Sequence, residues 1–167
     1  MFFIDSDSTY VPNVTLLSVY RCIIECYIIY CNIIFGNAAT IHLKPLVVAQ
    51  KKAVRIVAFQ SPLSHTNPIF SSFKLLKLAD HYKYNLGIYM WKNIDRFAPY
   101  LRVNINNTRS GDYYAPIRQR LTLNQRQSIN YQALLIWEGI PLDVRNSTSL
   151  LSFKKKYRNS LLSSYDN

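Results

Sequence analysis

The run from Val14 to Phe35, VTLLSVYRCIIECYIIYCNIIF, constrains the fold more than any other stretch, because so few charges interrupt it. A run this apolar admits two outcomes: a helix in a protein core, or one crossing a bilayer, which about 20 apolar residues can span. Arg21 and Glu25 stand four apart, where they share a helix face and can pair. At a bilayer centre each would still be costly. The hydroxyls of Tyr27 and Tyr30 also want partners that lipid lacks. The reading is therefore a buried core helix, capped by Asn13 or Thr15 and ending at Phe35. Gly36 and Asn37 supply the stop, since both enter the left-handed conformation cheaply.

A second helix follows, with Thr40 placed to cap it. Leu46, Ala49, Ala53, Ile56 and Val57 recur at helical spacing, and Lys44, Lys51 and Arg55 fall together on the opposite side with Lys52 beside them. The spacing predicts an amphipathic helix carrying a basic stripe, packed behind the apolar one.

Charge turns this stripe into a functional clue. The net charge is +11, but residues 1–40 carry −2 and residues 41–167 carry +13. A field of that sign concentrates polyanions, so nucleic acid is the leading partner class and an anionic membrane surface the second. The basic character recurs further along. Arg102, Arg109, Arg118, Arg120 and Arg126 are interleaved with Tyr113 and Tyr114, and Lys154, Lys155, Lys156 and Arg158 lie beside Leu150, Phe153, Tyr157 and Leu161. Lysine and arginine would neutralise phosphates, and tyrosine faces would be available for stacking.

The remaining elements are punctuated by turn and cap signals. Residues 1–12 read as a loose lead-in without a signal peptide, and 13–60 as the helix pair. In 61–99, Thr66 or Asn67 caps a short helix with Pro68 in its first turn, ending near Phe73. A longer helix runs from Leu75 to Ile94, with Leu78, Ala79, Tyr82, Leu86, Tyr89 and Met90 on one face. Residues 100–167 are Arg-rich. Short strands are expected at 113–115 and 128–130, a short helix at 132–137, and a last helix from about Ser149 to Ser163, capped by Asn146 or Ser147. With only four glycines, the chain suits helices better than a turn-rich sandwich.

Catalytic chemistry has little to work with. The chain has nine acids, no Asp-Asp pair for two magnesium ions, no Gly-rich phosphate loop and no G-x-S-x-G elbow. Cys22, Cys26, Cys31 and His42 lack the C-x-x-C spacing of a zinc site, and the thiols read as free cysteines in an apolar core within a reducing compartment. For His65 and His81, capping or surface roles are expected.

Three ordered landmarks carry a resemblance. The first is Tyr30-Cys31-Asn32-Ile33-Ile34-Phe35-Gly36-Asn37 with Leu43-Lys44-Pro45-Leu46 and Gln50-Lys51-Lys52-Ala53-Val54-Arg55-Ile56-Val57. The second is His65-Thr66-Asn67-Pro68-Ile69-Phe70 with Leu75-Leu76-Lys77-Leu78. The third joins Asn107-Thr108-Arg109-Ser110, Ile136-Trp137-Glu138-Gly139-Ile140-Pro141, Asn146-Ser147 and Ser152-Phe153-Lys154-Lys155-Lys156. From about Thr15 to Tyr165 the chain resembles the thumb and post-thumb part of jockey-like reverse transcriptases from non-LTR (LINE-type) retrotransposons. The family usually has Trp where Phe35 stands, Pro near Cys26, and W-N-S-L-P in place of Trp137-Glu138-Gly139-Ile140-Pro141. The resemblance implies a helical thumb whose Lys44, Lys51, Lys52 and Arg55 face the primer–template backbone. The palm, with its catalytic aspartates, and the endonuclease lie outside it.

The expectation is a mainly α fold: a thumb-like helix pair followed by a helical domain with a small β contribution. The expected function is that of a truncated, non-catalytic fragment binding the backbone of RNA or an RNA/DNA hybrid without sequence preference. Lys44, Lys51, Lys52, Arg55, Arg118, Arg120, Lys154, Lys155 and Lys156 would make the contacts, with no cofactor, metal or small-molecule substrate, inside the cell in nucleus or cytoplasm. The alternatives are a small basic protein anchored in a membrane by the 14–35 helix, and a remnant with no molecular function.

Overall fold

The computed structural model describes residues 11–102, 113–114 and 128–165. The apolar run is helical, but not as one rod. Helix α1 (Asn13–Val19) passes into a π-helical turn, Tyr20–Glu25, and then into α2 (Cys26–Ile29). Cys31, at φ 53°, breaks the path before α3 (Asn32–Phe35). Pro12 occupies the cap position of α1, so neither Asn13 nor Thr15 caps it. Arg21 and Glu25 both lie within the π turn. Arg21 Nη2 donates to the Phe73 carbonyl at 3.3 Å, and Glu25 faces His81 at 3.3 Å, so the two do not form the expected pair.

The segment is also not the buried core helix that its composition predicts. Tyr20, Glu25, Ile28 and Asn32 are buried, while Val14, Tyr27, Tyr30 and Ile34 are each at least two-thirds exposed. Among the described residues, no helix is long and apolar enough to cross a membrane. Gly36 has φ −63°, so it stops α3 without entering the left-handed region. Its small size serves packing instead: a Cβ there would run into the Tyr82 ring.

Helix α4 (Thr40–Val57) starts after Ala39, with Thr40 as its first residue rather than its cap. Its buried line is Gln50, Val54 and Val57, with Leu43 and Val47 half-buried on the same side. Leu46, Ala49 and Ile56, expected on the inner face, are exposed. The helix is turned so that Gln50 points inward. There its Nε2 donates to the Tyr20 hydroxyl at 3.1 Å and to the Leu76 carbonyl at 2.9 Å.

Helix α5 (Asn67–Ser72) has Thr66 at its cap position and Pro68 in its first turn, where the missing N–H costs nothing. It ends at Lys74, φ 51°, with the Leu75 N–H bonded to the Phe70 carbonyl at 2.9 Å. Helix α6 (Leu78–Lys92) therefore starts three residues later than its periodicity predicts, and Ala79 lies outside its buried face. Its first N–H groups are capped from a distance. Gln50 Oε1 accepts from Leu78 N–H at 3.0 Å, and the Tyr165 hydroxyl accepts from Lys77 N–H at 3.1 Å.

A 3₁₀ stretch, Ile94–Tyr100, leads to β1 (Leu101–Arg102), which pairs antiparallel with β2 (Tyr113–Tyr114). Residues 128–130 are not a strand. The Ser128 hydroxyl accepts from Tyr131 N–H at 3.3 Å and caps helix α7 (Ile129–Glu138), since serine satisfies an otherwise unpaired donor there. Helix α8 (Leu142–Arg145) follows. Ser149, rather than Asn146 or Ser147, then caps α9 (Leu150–Ser163) through Ser152 N–H at 3.2 Å. The fold is mainly α.

Two hydrophobic clusters hold these helices. One joins α6, α7, α8 and α9 through Leu86, Met90, Leu134, Trp137, Val144, Phe153 and Tyr157. Phe153 lies at its centre, with ring centroids 5.8 Å from Trp137, 5.6 Å from Tyr157 and 6.1 Å from Trp91. Truncating a ring buried like this one to alanine costs about 3–5 kcal/mol, the lost burial and the cavity together. Gly87 makes the α6–α9 approach possible, since a Cβ would sit 2.5 Å from Tyr157 Cε1. The other cluster packs Tyr20, Val54, Val57, Ile69, Phe70, Leu75 and Tyr165, and so backs α4.

Candidate nucleic-acid interface

Because α4 buries Gln50, Val54 and Val57, its opposite side carries both bases and apolar residues. Lys44 and Lys52 are exposed, and Lys51 and Arg55 are half-buried at the edge. Lys44 and Lys52 enter no hydrogen bond or ion pair among the described residues. Eight residues apart on a helix, their Cα atoms are separated by about 12 Å along the axis, the rise of three to four phosphates on one strand of a duplex. Arg55 is partly committed elsewhere: its Nε donates to the Ser64 carbonyl at 2.9 Å and ties α4 to the turn before α5. Between these bases run two shallow troughs. One, of about 440 Å³, is lined by Val48, Lys51, Lys52, Arg55, Ile56, Gln60 and Pro62. The other, of about 390 Å³, is lined by Ile41, Lys44, Pro45, Val48, Ala49 and Lys52.

The second basic group sits on α9. Lys155 is exposed and Lys154 half-buried, while Lys156 Nζ donates to the Asp143 carbonyl at 3.1 Å. Arg158 Nη2 donates to the Lys74 carbonyl at 2.9 Å, so it closes the end of α5 together with Arg21. No hydrogen bond or ion pair among the described residues joins the α9 lysines to α4. Arg118 and Arg120, with Arg109 and Arg126, lie outside the described residues.

A further cation beside α4 escaped the sequence reading. Burial holds the Lys77 ammonium below its ordinary pKa. Asp80 opposes that shift, and Lys51 and Lys83 reinforce it. Lys77 Nζ lies 3.9 Å from the centre of the Tyr165 ring. The Tyr165 hydroxyl donates to Asp80 Oδ2 at 2.5 Å, and burial followed by that bond pushes the phenol well above its usual range. The only sequence signal for Lys77 was its place between two apolar residues in Leu75-Leu76-Lys77-Leu78, which reveals nothing about Lys51.

His81 and the three cysteines land differently from expectation. His81 is buried, not at the surface, with Nε2 3.3 Å from Glu25 Oε1. That contact is electrostatic rather than an aligned hydrogen bond. Burial opposes ionisation of Glu25, but His81, with Arg158 and Arg21, outweighs it and holds the carboxyl below its ordinary value. Cys22, Cys26 and Cys31 are all exposed, not core thiols. Among the described residues, no three His, Cys, Asp or Glu side chains converge into a group that could hold a metal ion. His65 is exposed, just ahead of the α5 cap.

Comparisons with protein-family models, with curated proteins and with solved structures return no match.

Proposed function

We propose that this chain is the thumb and post-thumb part of a jockey-like non-LTR retrotransposon reverse transcriptase, and that its own residues bind nucleic-acid backbone rather than catalyse. The observation that carries the reading is the outer face of α4. Two lysines stand exposed there without a carboxylate partner among the described residues, on a chain of net charge +11. An unpaired lysine keeps its full charge for a phosphate, and binding of this kind releases counterions whatever the base sequence. Lys51 and Arg55 flank the pair, and Lys154 and Lys155 on α9 add further basic side chains. The ordered landmarks quoted above support the assignment of α4 to the thumb.

The test is retention of random-sequence RNA and of RNA/DNA hybrid by the purified chain on a filter. Retention at low salt, lost as salt rises and equal for unrelated sequences, is the expected result. Absence of retention at low salt would sink the proposal.

A further inference from the structure

The outer face of α4 carries apolar side chains for which backbone binding has no use. Ile41 is 75% exposed, Ile56 56% and Val48 41%. Val48 and Lys52 belong to both troughs, so the floor is continuous along the helix, and Gln60 and Pro62 join the lining of one of them. An apolar floor with a cationic rim marks an interaction surface rather than a solvated helix face.

The candidate occupants differ in how they meet that shape. A second copy of this chain would bring a net charge of +11 to a cationic rim. Nucleobases want an aromatic platform, and neither trough has an aromatic side chain in its lining. An amphipathic helix satisfies both features at once: apolar side chains at i, i+4 and i+7 fill the floor, and flanking carboxylates meet the lysines. We propose that the outer face of α4 is a docking groove for an acidic amphipathic helix of a partner protein. The inference goes beyond backbone binding and makes the two ligands competitors for Lys52.

The experiment uses the full chain and a fluorescein-labelled four-turn peptide, with leucines at i, i+4, i+7 and i+11 and glutamates flanking them. A scrambled peptide of the same composition keeps the charge and loses the stripe. The expected result is that the ordered peptide binds and the scrambled one binds at least about tenfold more weakly. Val48→Asn and Ile56→Asn change exposed positions, so thermal melting should be unchanged. Each should weaken the ordered peptide about tenfold and leave RNA retention within about twofold. Lys52→Ala should weaken both ligands. Equal binding of the two peptides, no binding of the ordered peptide, or insensitivity to Val48→Asn would each overturn the proposal. So would Val48-dependent pelleting with phosphatidylcholine/phosphatidylserine vesicles when the ordered peptide fails to compete. RNA retention is read separately, so the backbone reading can stand or fall by itself.

Discussion

Replacing Lys44 and Lys52 together by alanine tests the α4 interface most sharply. Both side chains are exposed and neither holds another of the described residues in place, so the double substitution removes charge and leaves packing alone. Each neutralised phosphate steepens the fall of log K with log salt by about 0.7 on a single strand and about 0.9 on a duplex. Losing two contacts should flatten the slope by about 1.4 on single-stranded RNA and about 1.8 on a hybrid. Between about 50 and 200 mM salt, the unsubstituted chain should then lose about seven- to twelvefold more affinity than the variant. Fluorescence anisotropy across a salt series measures both slopes, with a thermal melt to show that the fold is intact. Arg55→Ala is the wrong probe, because Arg55 Nε also holds the Ser64 carbonyl. An unchanged slope in the double variant, or a loss confined to one RNA sequence, would refute the reasoning.

Gln50→Ala should destabilise the fold by about 3 kcal/mol, seen as a lower midpoint in urea, because it strips partners from the buried Leu78 N–H, Leu76 carbonyl and Tyr20 hydroxyl. Stability should fall at both ends of the pH range. Glu25 is held below its ordinary value, so its contribution is present at neutral pH and is lost as pH drops through the carboxylate range. The Tyr157 and Tyr165 phenols are held above theirs, so their contribution is complete below about pH 10 and is lost above it. Urea midpoints across pH read both limbs, and Glu25→Gln should flatten the acid one. Finally, Cys22, Cys26 and Cys31 should all react with maleimide in the native protein, three adducts by mass. Protection of any of them without denaturant would contradict the exposed face of the N-terminal segment.

Much of the helical layout was legible in the residues. Thr66 and Pro68 mark the start of α5, and the stripe Leu150, Phe153, Tyr157 and Leu161 is the inner face of α9, with Phe153 and Tyr157 buried. Cap signals were read less well, because several polar residues competed for each site. Ser149 caps α9 where Asn146 or Ser147 was expected, and Ser128 opens a helix where a short strand was expected. The candidate site was legible as a set of bases, not as a surface. Lys44 and Lys52 have no partner among the described residues, but Arg55, Lys156 and Arg158 each hold a backbone carbonyl from another part of the chain. No local pattern tells a free cation from one committed across 84 residues, as Arg158 is to Lys74.

The rotation of α4 shows where sequence ends and structure begins. Its own residues determined that it is a helix, since spacing and propensity act within a few residues. They did not determine which side goes inward, because Leu46, Ala49 and Ile56 offer one apolar face and Val47, Val54 and Val57 another. The choice falls to Gln50, whose amide meets Tyr20, Leu76 and Leu78 only when the second face is buried. A buried amide without partners is costly, and its partners here come from elements far along the chain. Glu25 turns inward to a partner as well, His81, and Tyr27, Tyr30 and Ile34 stay in solvent. Asn32 is an exception: it is buried with its Nδ2 on the Ile28 carbonyl of the preceding turn, while its Oδ1 has no hydrogen-bond partner among the described residues. Sequence made these segments helical. For α4, the place where the Gln50 amide could be satisfied decided which face the protein shows.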